Sequence, residues 1–274
     1  GLYGRRLDAD DFDRLAVSDP IRDVLRWMGM GDAYRNSQGD AHWKSFCSVC
    51  ITEFKFDPDK KSPSDAAGAI VDGAGKWDAV WQRFREAPKL YADVAKLIHA
   101  NPMPLLQRGS ERDASGNAEA EEQLRIDLGT VVDLPQAAAL AKIGALEAEH
   151  GKRREWVWAQ LGESPLANAL APLARLASAA ATVLGGATVD GVVTAYTKDG
   201  WRCDCAALEA LALAKGPADA ALVQSVVRAA YLPWLDASAR HFQSLIEGAE
   251  AAARTLVSGS EHEKDSCLMF ADGL

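Results

Sequence analysis

Over most of this 274-residue chain the apolar residues recur every three or four positions. That spacing gathers them on one side of an α-helix and would scatter them over both faces of a strand. In AHWKSFCSVCITEFKF, Trp43, Phe46, Cys47, Cys50, Ile51 and Phe54 stand at i, i+3, i+4, i+7, i+8 and i+11, a single helical face. GKWDAVWQRFREAP places Trp77, Val80, Trp81 and Phe84 in the same way, and the helix begun by Pro88 groups Tyr91, Val94, Ala95 and Ile98. Helix ends are written too. Asp19 stands as an N-cap before Pro20, with Gly29 or Gly31 as a stop, and Ser62 caps before Pro63. Short connections make successive helices antiparallel neighbours, so the expected fold is an all-α multi-helix bundle.

The pattern predicts two helical subdomains, residues 1–101 and 119–257. Between them, NPMPLLQRGSERDASGNA carries no apolar period, and residues 102–118 read as a linker or partly disordered loop. The second subdomain is rich in Ala and Leu. One helix runs from Pro135 to a stop at Gly151, and KRREWVWAQLGESP gives a short aromatic helix closed by Gly162. A long helix starts at Ser164 and Pro165 and ends at Gly185 and Gly186; TVDGVVTAYTKDG and WRCDCAALEALALAKG supply two more. The last helix contains Pro233, which predicts a kink or break near Ala229 to Tyr231.

Few function classes announce themselves. The net charge of −9 argues against a general attraction to nucleic acid or to an anionic membrane. No apolar run approaches the roughly 18 residues of a membrane span, and no signal segment follows Gly1, so a cytoplasmic protein is expected. Cys47, Cys50, Cys203, Cys205 and Cys267 do not form a disulfide framework. Cys47 and Cys50 make a C-x-x-C, but both lie on an apolar helix face, where a thiol acts as a small hydrophobe, so core filling is expected over zinc. In CDC only one of Cys203 and Cys205 can face inward. The five histidines, His42, His99, His150, His241 and His262, have no metal-ligand spacing, and EHEKD reads as a charged turn. Base stacking by the eight tryptophans would need basic neighbours, and KRREWVW alone supplies them. A nucleic-acid-binding module using Lys152–Arg154 is therefore the alternative reading, set against a helix anchored by Trp156 or Trp158 with its cations in water. There is no P-loop, G-x-S-x-G or dinucleotide fingerprint. No catalytic or cofactor-binding residue is expected among these helices.

The end of the chain departs from the pattern. CLMFADGL reads as a short apolar strand delivering Asp272 at its carboxyl end, where ligands gather in α/β folds. In order along residues 8–274, the stretches DPIRDVLRW, WDAVWQRFREAP, REWVWAQLGESPLA, DGWRCD, YLPWLDASARHFQ and FADGL resemble the middle portion of the PglZ family of the BREX and Pgl phage-defence systems. The resemblance implies that residues 258–274 open an alkaline-phosphatase-like domain whose remainder is missing from this chain. Asp272 would then be a ligand for zinc or manganese in the full-length protein only, with no metal bound by this chain alone. It further implies a helical scaffold that positions the phosphatase domain and docks other BREX or Pgl defence proteins, with DNA a further contact of the full complex and no membrane involved.

Overall fold

The computed structural model describes residues 8–101, 103 and 108–247, and these form an all-α multi-helix bundle with no strand among the described residues. The segment read as a strand, with Asp272, lies outside them, as do Leu256 and Cys267. None of the described helices is long and apolar enough to cross a membrane.

The first group of helices is α1 (Ala9–Ala16), α2 (Pro20–Met30), α3 (Asp32–Gln38), α4 (Asp40–Val49), α5 (Pro63–Asp72), α6 (Trp77–Glu86) and α7 (Ala92–His99). The starts of α1, α2 and α5 are set by side chains that satisfy the free amides of a first turn. Asp19 accepts from the Arg22 N–H at 3.1 Å, with Pro20 at the first helical position. Ser62 and Asp65 form a reciprocal capping box at α5. The apolar faces point into one core, where Trp27, Trp43, Phe46, Phe54, Phe56, Trp77, Trp81 and Phe84 are buried. Each such side chain contributes on the order of 1.5–3 kcal/mol by leaving water. Two of the indole N–H groups are met inside the protein: Trp43 donates to Asp59 at 2.9 Å and Trp77 to the Phe54 carbonyl at 3.2 Å.

The face read across AHWKSFCSVCITEFKF needs one correction. The helix widens at Cys50 into a π turn, Cys50–Phe54, ending on Lys55 in the left-handed region at φ 54°. A π turn takes an extra residue and rotates everything after it. Trp43, Phe46, Cys47, Cys50 and Phe54 are buried, whereas Ile51 is turned outward and is 47% exposed.

The second group is α8 (Ala114–Val131), α9 (Gln136–His150), α10 (Val157–Leu161), α11 (Pro165–Ala180), α12 (Val189–Ala195), α13 (Trp201–Leu213) and α14 (Pro217–Glu247). A second core of Leu, Ile, Val and Ala side chains, with Trp234, lies among α8, α9, α11, α13 and α14. Val157 and Trp158 do not join it. They are carried back into the first core.

The structure departs from three expectations here, one through a neighbouring cap and two where residues distant in the chain make contact. The stretch read as a linker is helical from Ala114, because Asp113 caps α8 by accepting from the Gly116 N–H at 2.8 Å and also holds the Gly109 N–H at 3.0 Å. Its neighbours are tied as well: Arg112 donates to the Ile70 carbonyl, and the Glu111 carbonyl accepts from Trp158 at 2.7 Å. Helix α11 stops at Ala180, short of Gly185, where α14 takes hold of the chain: Trp234 donates to the Thr182 carbonyl at 3.0 Å and Ser238 accepts from the Leu184 N–H at 3.2 Å. Helix α14 runs unbroken for 31 residues through Pro233. Gln136 of α9 donates to the Ala230 carbonyl at 3.2 Å, in the turn whose backbone bonding the proline disturbs.

Candidate functional site

Two polar arrangements stand out from this apolar frame. The first is a buried junction at the meeting of α8, α9 and α11. Glu121 and Arg153 form an ion pair inside the protein, and Glu121 also accepts from the Leu166 N–H at 2.5 Å. Asn117, fully enclosed, accepts from Arg153 Nε at 3.2 Å and from the Ser164 hydroxyl at 3.1 Å, and donates to the Glu163 carbonyl at 3.3 Å. Glu163 meets His99 of α7 at 2.7 Å, so the junction reaches into the first helical group. His150 turns Nδ1 toward Arg153 at 3.2 Å, while its Nε2 is buried without a hydrogen-bond partner among the described residues. Burial, and then the Arg153 charge, hold the imidazole below its ordinary pKa.

This junction removes the basic patch that Lys152–Arg154 promised. Arg153 is buried against Glu121, and Arg154 grips Glu147 with both terminal nitrogens, at 2.7 and 2.5 Å. Lys152 alone of the three faces water without a partner among the described residues. The expectation of cations left in water fails for Arg153 because the Glu121 carboxylate of α8 is packed over it. Trp158 is the buried anchor, and Trp156 packs only partly against the first core.

The second arrangement is a groove of about 820 Å³ bounded by α11, α13 and the loop between α11 and α12. Its far wall is a second π turn, Tyr196–Gly200, joining α12 directly to α13. Asp204 steadies that turn, accepting from the Tyr196 hydroxyl at 2.5 Å and the Tyr231 hydroxyl at 2.6 Å. The Tyr231 phenol is pushed above its usual range, first by burial and then by that hydrogen bond. The loop lies so close to the turn that a Cβ on Gly200 would come within 2.8 Å of Leu184 Cδ1. Arg175, Lys198, Asp199, Trp201, Arg202, Cys205 and Glu209 line the opening.

Helix α13 shows apolar residues on both sides. Cys203, Ala206, Ala207 and Ala210 face the second core. On the outer side Trp201, Cys205, Leu208 and Ala212 follow one another at i, i+4, i+7 and i+11, all exposed, with Leu208 at 67%.

The other described cysteines are core residues. Cys47, Cys50 and Cys203 are buried, and burial pushes the Cys47 thiol up to about 12 and that of Cys203 to about 11. Cys205 is exposed, so one member of CDC faces inward. Among the described residues no group of three or more His, Cys, Asp or Glu is placed to hold a metal ion. The sequence reading passed over the groove because it credited KRREWVW alone with basic neighbours, although Lys198 and Arg202 flank Trp201, and the π turn that presents Trp201 leaves no periodic trace.

Among the described residues, the fold and these two arrangements define a helical protein with two apolar cores, a polar junction and an open groove beside α13. Comparison of the chain with protein-family models, with curated proteins and with solved structures gave no match.

Proposed function

We propose that the chain is the helical interaction region of a PglZ-like phage-defence phosphohydrolase, holding the phosphatase domain and docking the other defence proteins of a BREX or Pgl system. The observation that carries the docking reading is the outer stripe of α13. Helix α13 buries one face in the second core, yet on its outer side Trp201, Cys205, Leu208 and Ala212 are open to water. The buried junction supports the holding role, since Glu121 of α8 pairs with Arg153 and accepts from the Leu166 N–H of α11, while Glu163 meets His99 of α7 nearer the surface. The family assignment itself rests on the sequence resemblance.

In this reading the protein works in the cytoplasm. Asp272, with ligands from the phosphatase-like domain, holds zinc or manganese, which would polarise a phosphate ester. The helices supply no group to that reaction. DNA belongs to the complete complex, and the tied arginines of Lys152–Arg154 take support away from direct nucleic-acid binding by these helices.

The test uses the complete protein with its phosphatase-like domain. Leu208→Glu should abolish co-purification with the other proteins of the defence system and phage restriction, while hydrolysis of a generic phosphodiester with added zinc or manganese and helicity stay at wild-type values. Unchanged co-purification would overturn the docking reading. Hydrolysis by the 274-residue chain alone would overturn the scaffold reading.

A further inference from the structure

The groove beside α13 has the opposite charge balance to the chain that carries it. Acidic residues outnumber basic ones by 39 to 30 overall. In the groove three cations, Arg175, Lys198 and Arg202, face two carboxylates, Asp199 and Glu209. Arg175 pairs with Glu209, and Arg202 with Asp199 at 3.5 Å. The Lys198 ammonium has no partner among the described residues. Beside it, Trp201 lines the same groove and is 43% exposed, with the Arg202 guanidinium 5.9 Å from its ring.

We propose that this groove binds a free mononucleotide. A half-exposed indole offers a flat face on which a base can stack, a contact open to every base. An unpaired ammonium beside a guanidinium meets a phosphate, whose oxygens accept charge-assisted hydrogen bonds. Neither feature alone selects the ligand, since a lone cation suits any anion and a lone ring any planar molecule. Their union in one groove asks for a ring and a phosphate on the same small molecule. A space of about 820 Å³ falls within the range of roughly 300–1,000 Å³ of small-molecule sites. Ser178 and the carboxylates of Asp199 and Glu209 provide acceptors for sugar hydroxyls or an exocyclic amine. The site binds without chemistry and is independent of the docking stripe in one usable respect: Leu208 does not line it.

The experiment is titration calorimetry of the 274-residue protein with ATP, GTP, CTP and UTP, and separately with adenosine, tripolyphosphate and a short single-stranded oligonucleotide. Expected is binding of at least one nucleotide with a dissociation constant below about 1 mM, and weaker binding of adenosine and tripolyphosphate by about tenfold or more. Trp201→Ala and Lys198→Ala should each weaken the nucleotide by on the order of tenfold, Trp201→Phe should restore most of the loss, and Leu208→Glu should bind as wild type. Saturating nucleotide should also slow alkylation of Cys205, which is exposed in the groove. The proposal falls if no nucleotide binds, if tripolyphosphate binds as tightly as the best nucleotide, or if neither the Trp201 nor the Lys198 variant changes affinity. Tighter binding of the oligonucleotide than of any mononucleotide would also overturn it.

Discussion

Arg153 and Glu121 form an ion pair in which neither side chain reaches water, at 5% and 7% exposure. Each is the other's main compensation for lost hydration, and removing one partner strands a charge in the interior. Glu121→Ala is expected to lower the unfolding free energy by about 3–5 kcal/mol. Urea unfolding followed by circular dichroism measures it, and a loss under about 1 kcal/mol would mean that water reaches Arg153.

The same junction makes stability depend on pH through His150. Burial and the Arg153 charge favour its neutral form, against weaker opposing pulls from Glu149, Asp127 and Glu121. Its folded pKa therefore lies below the unfolded value of about 6.5. Between the two values the unfolded chain binds more protons. The contribution of His150 is complete above about pH 6.5 and is lost as pH falls through that value toward the folded pKa. His150→Gln should flatten the fall in melting temperature between about pH 7 and about pH 5. Parallel pH profiles for the two proteins would contradict this.

Thiol reactivity should follow depth. Cys205 is exposed, while Cys47, Cys50 and Cys203 are buried with thiols raised by burial. Alkylation of the native protein at about pH 8, read by peptide mapping, should modify Cys205 at least about a hundredfold faster than those three. Equal rates at Cys47 or Cys50 would mean that the face carrying them opens readily.

Asp113→Ala removes the cap of α8 and the acceptor of the Gly109 amide together. The expected cost is about 1–2 kcal/mol in denaturant unfolding. No change would show that α8 takes its start from packing alone.

What could be read from the sequence was whatever depends on near neighbours in the chain. Asp19 before Pro20 and Ser62 before Pro63 mark helix starts because a cap acts within one turn. Trp77, Val80, Trp81 and Phe84 mark a buried face because a helix keeps its period. The reading failed where a distant residue decides the outcome. Arg153 is buried because Glu121, 32 positions earlier, packs against it. The end of α11 is set by Trp234 and Ser238, more than fifty positions later. The π turns after Val49 and Ala195 break the period itself, which concealed both the outward Ile51 and the groove beside Trp201.

The return of Val157 and Trp158 to the first core fixes an order of events during synthesis. A ribosome making this chain releases α1 to α7 well before the indole that donates to the Glu111 carbonyl exists. Until that residue has left the exit tunnel, the early helices present an apolar seat with nothing in it, and such surfaces recruit chaperones or other nascent chains. The first core is thus incomplete until Val157 and Trp158 have been made. A chain that stops before residue 158 leaves that seat open and is expected to aggregate more readily.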